Sequence, residues 1–249
     1  PLGCDSAHLA WASRAGGVMR ITGDWLAQPG TQALCGALEA AGYRALFVGG
    51  CVRNALLGVS VADVDIATDA RPETVTRLAE VAGLRVVPTG IEHGTVTVIA
   101  GGVPHEVTTF RRDVETDGRR AVVAFAQDVA EDAARRDFTM NALYADARGR
   151  VIDPLGGLPD LVARRLRFVG DAHQRIREDY LRILRFFRFH AHYGDPDQGM
   201  DAEALAASAE LAEGVDGLSR ERIGAEMRKL LAAPDPAPAV AAMAQAGVL

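Results

Sequence analysis

Asp63 and Asp65 stand two residues apart, with Val64 between them and Ile66 following. Alternate side chains of a β-strand share a face, so the two carboxylates project together while Val64 and Ile66 turn the other way, toward a core. Like charges held side by side repel unless a cation lies between them. Oxygen donors of this kind suit Mg²⁺, which takes one or two carboxylates together with substrate phosphates. Just upstream, an apolar run ends in Gly49-Gly50, and a helix-like segment carrying Arg53 follows. Glycines let backbone N–H groups approach a phosphate closely. Paired acids, a glycine corner and an arginine read together as a site for a nucleoside triphosphate and its metal.

Such residues need a rigid frame. Strand patterns fall at Ala45–Val48, Asp63–Thr68, Leu84–Val87, Thr95–Ala100 and Val103–Phe110, the last two joined through Gly101-Gly102 as a hairpin. Helical patterns fall at Thr31–Tyr43, Val52–Leu57 and Pro72–Ala82, with Pro72 suited to a first helical turn. The charged stretch Arg111–Gln127, with Asp117-Gly118 inside it, reads as a mobile loop. Beyond Gly157 the strand signal persists only at Leu166–Val169, and helices are expected at Asp171–His192, Asp201–Glu213, Ser219–Ala232 and Ala237–Ala246. Ser219 fits an N-cap, without the full capping box because Arg222 stands where an acid or amide is needed. The expected architecture is an α/β head over 19–157, a mixed sheet with flanking helices, followed by an all-helical part over 158–249.

Composition sets outer bounds. A chain of 249 residues with 49% hydrophobic content has the make-up of an ordinary globular protein. No run of about 18 apolar residues occurs, so no membrane span is expected. Cys4, Cys35 and Cys51 are few, odd in number and not in metal-ligand spacing, which points to a reduced, cytoplasmic setting with the thiols in the core or incidental. Residues 1–18 lack the pattern of a signal peptide and read as a leader or tag ahead of Met19. The net charge of −6 hides a local bias: Leu161–His192 carries eight arginines against three acids. A basic stripe on an acidic chain is the footprint of a nucleic-acid or nucleotide partner, although a solvated helix face gives the same pattern.

On a helical wheel starting at Asp179, Arg182, Arg185 and Arg188 fall at about 300°, 240° and 180°. Tyr180, Ile183, Leu184 and Phe187 occupy the sector between about 40° and 140°. One face is apolar and the other carries Asp179 and three arginines.

At this point a resemblance emerges. Gly49-Gly-Cys-Val-Arg53 with Asp63-Val-Asp65 resembles the signature of class II tRNA CCA-adding enzymes and bacterial poly(A) polymerases. The likeness continues through His93-Gly-Thr95, Glu106-Val-Thr-Thr-Phe-Arg111, Arg135-Arg-Asp-Phe-Thr-Met-Asn141, Asp153-Pro-Leu-Gly-Gly157, the segment Arg175–Arg185 and Ser219-Arg-Glu-Arg-Ile223, covering about Ala33 to Leu231. It implies a head of the polymerase-beta-like nucleotidyltransferase type and a helical neck.

The resemblance also implies roles. Asp63 and Asp65 are the metal ligands, and Glu106 is the third catalytic carboxylate. Two ions about 3.5–4 Å apart would activate the attacking hydroxyl and stabilise the leaving oxygen. Gly49, Gly50, Arg53 and Arg136 hold the nucleotide, and arginine's fork of donors matches phosphate oxygens. Asp137, beside Arg136, is either a ligand or a structural partner of the arginines. Asp179 and Arg182 read the base edge: cytosine and adenine each offer an amine donor and a ring-nitrogen acceptor, a pattern guanine and uracil lack. Arg185 and Arg188 neutralise triphosphate or RNA backbone. Asn54 stands where the family usually carries aspartate, which removes one charge near the site. His93, Asp153 and the cysteines read as structural residues.

The implied reaction is transfer of CMP and AMP from CTP and ATP to a tRNA 3′ end, with Mg²⁺ as cofactor. Thr89-Gly-Ile-Glu-His-Gly-Thr95 looks more like the CCA-adding branch than like the poly(A) polymerases. Family members usually carry further helical body and tail parts, so a fragment or a non-catalytic RNA-binding module is the alternative from another class. Oligomeric state is not legible.

Overall fold

The computed structural model describes residues 19–88, 90, 94–116 and 121–249, with the side chains of 113–123 outside the description. The leader 1–18 and His93 therefore lie outside the described residues. The helices are α1 (Asp24–Ala27), α2 (Pro29–Ala40), α3 (Gly50–Leu57), α4 (Pro72–Val81), α5 (Val129–Ala134), α6 (Leu158–Val162), α7 (Ala172–Glu178), α8 (Leu181–Tyr193), α9 (Ala202–Glu210), α10 (Arg220–Leu231) and α11 (Ala237–Gln245). The strands are β1 (Leu46–Val48), β2 (Val64–Thr68), β3 (Arg85–Val87), β4 (Thr95–Ala100), β5 (Val103–Thr109), β6 (Arg111–Thr116), β7 (Ala121–Phe125), β8 (Tyr144–Asp146) and β9 (Val151–Ile152). Two compact units emerge. The first takes residues up to Arg112 with Val123–Arg135 and Asn141–Leu155; the second takes Asp113–Val122, Arg136–Met140 and Gly156–Leu249.

The first unit is built on a seven-stranded mixed sheet of order β3-β4-β5-β2-β1-β8-β9. Only β2 and β5 run parallel; the neighbours on either side are antiparallel. One face is apolar: Val64, Ile66, Val96, Val98 and Val107 are all buried. Helices α2 and α4 pack against this sheet. A buried polar pair crosses that layer, with Thr31 Oγ1 2.9 Å from His105 Nε2. The β4–β5 hairpin closes on Gly101-Gly102 with φ of 61° and 81°, the two positive values that a type I′ turn demands.

The second unit is helical. Helix α8 packs against α10 and α11. Its core is aromatic: Phe138, Phe168, Phe186, Phe187 and Phe189 are buried, and Phe138 lies 4.9 Å from Phe168 and 5.2 Å from Phe189, centroid to centroid. Each such ring contributes about 1.5–3 kcal/mol by leaving water. Asp160 is fully buried yet well satisfied. It accepts from Thr139 Oγ1 at 2.7 Å, from Arg167 Nε at 2.8 Å and from Arg165 Nε at 2.8 Å. Burial alone would raise its pKa, but these hydrogen bonds outweigh it and hold the carboxyl below its usual range.

Three expectations fail locally. The helix expected over Asp171–His192 is two helices, α7 and α8, broken at Asp179, whose backbone is extended (φ −159°, ψ 104°). The strand expected at Leu166–Val169 is one isolated bridge, Phe138 to Phe168. The loop expected over Arg111–Gln127 contains paired strands β6 and β7. Its charged composition masked a hairpin pattern around Asp117-Gly118, residues that lie outside the described set.

Candidate active site

On the first unit, the parallel pairing of β2 with β5 sets Asp65 directly beside Glu106. Glu106 is in turn paired with Thr97 of β4. Partners in register share a face, so Asp65, Glu106 and Thr97 form one polar row across three strands. The opposite face carries Val64, Ile66 and Val107, as the alternation of the sequence requires. Asp63 immediately precedes β2 and is exposed; Asp65 is half-buried and Glu106 exposed. Among the described residues neither Asp63 nor Glu106 has a hydrogen-bond or ion-pair partner on its side chain. No group of three acidic, histidine or cysteine side chains among the described residues is close enough together to hold a metal as it stands. The register nonetheless gives two of the three expected acids one row, and the third lies two residues before Asp65. All the donors are carboxylate oxygens, the hard ligands that Mg²⁺ takes.

Between β1 and α3 the chain turns at Gly49, with φ 68° and ψ −118°, a conformation side-chain-bearing residues rarely adopt. The Gly49 N–H donates to the Leu143 carbonyl at 3.2 Å, so this glycine contributes a corner and not an open donor. Gly50 begins α3. Arg53 is 6% exposed, and its guanidinium is fixed by neutral oxygens. Nη1 donates to Asn141 Oδ1 at 2.6 Å, while Nε and Nη2 donate to Asn54 Oδ1 at 3.1 and 2.9 Å. Asn54 Nδ2 meanwhile donates to the Ser60 carbonyl at 2.9 Å. An amide performs both tasks at once. An aspartate at this position could accept from Arg53 but not donate to Ser60. Cys51, one turn back, is buried, and burial raises its thiol to about 11. Cys35 is likewise raised to about 12. Neither thiol is poised as a nucleophile.

On the second unit, Asp179 stands in the break between α7 and α8 and not on a helix face. Its Oδ1 accepts from the Leu181 N–H at 3.1 Å and its Oδ2 from Arg222 Nη2 at 2.7 Å. Arg182 is 14% exposed and donates from Nη1 to Glu178 at 2.6 Å and to the Arg175 carbonyl at 2.8 Å. Arg185 Nε donates to Asp137 Oδ2 at 2.8 Å. Burial pulls the Arg185 pKa down, but the charge and hydrogen bond of Asp137 together with the charges of Glu226 and Asp179 outweigh it, and the net shift is upward. Arg188 pairs with the buried Glu226 of α10 at 2.5 Å and lies over the Phe189 ring at 4.2 Å. Arg136 is half-buried. Asp137 is thus a structural partner of Arg185 here. The wheel also misjudged the width of the buried face: Phe186 and Phe189 are buried beside Ile183, Leu184 and Phe187.

Four partners were missed in the sequence: Asn141, Asp160, Arg222 and Glu226. Asp160 lies one residue outside the arginine-rich window, and Glu226 lies one helical turn from Arg222 on the helix expected at Ser219–Ala232. A search for acids able to balance the arginines would have found both.

With this geometry in view, comparison with known proteins is direct. Residues 45–167 match the poly A polymerase head domain, and residues 199–249 match a probable RNA and SrmB-binding site of polymerase A. The chain is 46% identical over 184 residues to the mitochondrial CCA tRNA nucleotidyltransferase 1 of Mus musculus, covering 74% of this chain and 42% of that protein. It is 46% identical over 208 residues to a CCA-adding enzyme of Streptococcus pyogenes, covering 83% and 50%. The crystal structure of the Bacillus stearothermophilus CCA-adding enzyme in complex with CTP aligns with a TM-score of 0.79 at 38% identity, over 89% of this chain and 53% of that one. The fold and the site define a polymerase-beta-like nucleotidyltransferase head with a helical region following it. The chain belongs to the family of class II CCA-adding enzymes and bacterial poly(A) polymerases, and it spans about half the length of the curated relatives it matches. No helix among the described residues is long and apolar enough to cross a membrane.

Proposed function

We propose that this chain is the nucleotide-transferring part of a CCA-adding enzyme: it moves CMP and AMP from CTP and ATP to the 3′ end of a tRNA. The observation that carries this reading is the β2–β5 register, which seats Asp65 beside Glu106 with Asp63 two residues before it. The names of its relatives support the substrate class, and the Bacillus stearothermophilus neighbour holds CTP. Residues 19–157 act as the catalytic head and 158–249 as the neck. Two buried free cysteines accord with a reduced, cytoplasmic compartment.

In the reaction, the 3′-hydroxyl oxygen of the RNA bonds to the α-phosphorus. The bond from that phosphorus to the bridging oxygen breaks, pyrophosphate leaves, and the hydroxyl proton is released. Asp63 and Asp65 would hold Mg²⁺, with Glu106 as the third catalytic carboxylate. Bound there, the metal neutralises triphosphate charge and makes the hydroxyl a better nucleophile. Arg53 and Arg136 bind phosphate or sugar oxygens, and α3, fixed by Gly49, orients Arg53. Asp179 accepts the exocyclic amine of cytosine or adenine, and Arg182 donates to the ring nitrogen beside it. Arg185 and Arg188 add positive potential for phosphates while their carboxylate partners hold them in place.

The test is terminal addition to a tRNA lacking its CCA end, with CTP and ATP supplied singly and together. Addition that stops after two C and one A, with no use of UTP or GTP, supports the proposal. A second reading, poly(A) polymerase, is favoured by the match over 45–167. Long tails from ATP alone would replace the first reading with it. CTP binding that is indifferent to Mg²⁺ and to Asp63→Ala would leave a non-catalytic RNA-binding module.

A further inference from the structure

The break between α7 and α8 is held from outside by a glycine. Gly214 lies in the 3₁₀ turn Ala212–Gly217 of the same unit. A Cβ built on it would stand 2.0 Å from Tyr180 Cδ1, 2.1 Å from Cε1 and 2.5 Å from Cγ. The Cδ1–Cε1 side of the Tyr180 ring therefore abuts the bare Cα of Gly214, and no residue with a side chain fits there without moving the ring. Tyr180 is the N-cap of α8 and the neighbour of Asp179. The Asp179 carboxylate is fixed on both oxygens, by the Leu181 N–H and by Arg222. The Arg182 N–H in turn donates to the Asp179 carbonyl at 2.9 Å. Main chain and side chains thus tie the ring seat to Asp179 and to the first turn of Arg182's helix.

We propose that Gly214 is a specificity-determining positioning residue: by seating the Tyr180 ring it fixes where the Asp179 carboxylate sits, and hence which base edge the chain accepts. This rests on the reading of Asp179 and Arg182 as the base-reading pair. Discrimination between cytosine and uracil turns on the exocyclic amine facing a carboxylate and the ring nitrogen facing a guanidinium, so a displacement of under an ångström in the carboxylate weakens the preferred base selectively. A residue that merely supported the fold would weaken CTP and UTP binding together.

The experiment measures CTP and UTP affinity on the full chain with Mg²⁺, beside the thermal midpoint, for Gly214→Ala, Tyr180→Ala, Tyr180→Phe, Asp179→Asn and the double variant Gly214→Ala/Tyr180→Ala. Gly214→Ala and Tyr180→Ala are expected to cut the CTP-over-UTP preference about tenfold, a change of about 1.4 kcal/mol. Tyr180→Phe keeps the ring and keeps the preference within about twofold. The double variant regains thermal stability relative to Gly214→Ala, because the clash is gone, yet keeps the low preference. An unchanged preference in folded Gly214→Ala, or in Tyr180→Ala where Gly214→Ala does not fold, overturns the inference if Asp179→Asn has lost the preference. An unchanged preference in Asp179→Asn overturns the base-reading assignment itself, and this inference with it.

Discussion

The two units handle charge in opposite ways. On the sheet of the first, Asp63 and Glu106 face solvent without a cationic partner among the described residues, and the register alone lines Glu106 up with Asp65. In the helical unit nearly every acid named above is already committed: Asp160 to Arg165 and Arg167, Asp137 to Arg185, Glu226 to Arg188, Asp179 to Arg222. Exposed carboxylates such as Asp63 and Glu106, with no cationic side chain paired to them among the described residues, are poised for an external cation. A saturated row is poised to hold its members still. The same two residue types therefore serve for charge in one unit and for position in the other.

That contrast is broken most forcefully by exchanging the two losses. Asp65→Ala is expected to reduce nucleotide incorporation by of order 10³-fold while leaving the thermal midpoint within a few degrees of wild type, because it removes transition-state charge stabilisation and no packing. Incorporation within tenfold of wild type would remove the sheet carboxylates from the chemistry. Asp160→Ala is expected to do the reverse in stability. It leaves two arginines and Thr139 without their shared acceptor and costs about 3–5 kcal/mol in urea unfolding. Glu106→Gln, by comparison, changes stability by under about 0.5 kcal/mol, as an exposed substitution does.

A smaller effect sharpens the helical side. Glu226→Gln keeps the shape but weakens the charge-assisted hydrogen bond that this buried acid accepts from the partly buried Arg188, and about 2 kcal/mol of stability is expected to go with it. In a double-mutant cycle with Arg188→Met, a coupling of about 1–2 kcal/mol is expected. Coupling near zero would show that Arg188 is held by the Phe189 ring rather than by the acid.

The same contrast explains which parts of the molecule were legible in sequence. Five of the sheet's seven strands were, because their determinants are local; β8 and β9, three and two residues long, are too short to show an alternation. Val64 and Ile66 alternate with Asp63 and Asp65, Gly101-Gly102 specify a tight hairpin, and Pro72 and Ser219 mark helix starts. The charge row was not, because its partners are distant: Asp137 lies 48 residues from Arg185, Glu226 38 from Arg188 and Arg222 43 from Asp179. A composition window counts such arginines as a surplus. The break at Asp179 was hidden for a related reason. The apolar period runs on through Tyr180 and Ile183, and what stops the helix is an aspartate turning its carboxylate onto the Leu181 N–H with help from Arg222. Asp63 and Asp65 were legible as a cation site from their spacing, whereas the role of Glu106 rested on resemblance; the register between β2 and β5 adds a geometric reason by setting Glu106 beside Asp65.

The smallest expected effect concerns His105, buried in the sheet unit on the face away from the acids. His105 Nδ1 lies 3.0 Å from the Val103 carbonyl, which can only accept, so this nitrogen carries the proton. Nε2 is then bare and accepts from the Thr31 hydroxyl. The ring is neutral, and burial lowers its pKa below the usual 6.5. A lowered folded-state pKa means that the unfolded chain binds the proton first on acidification. The His105 contribution is therefore complete above about pH 6.5 and declines as the pH falls through the window below it. Unfolding midpoints in urea at pH 7.5 and pH 5.5 should fall further for wild type than for His105→Gln, which cannot titrate and keeps one donor and one acceptor. Equal declines in the two proteins would mean that acid sensitivity originates in the carboxylates of the helical unit, with Asp160, whose pKa is also lowered, the first to examine.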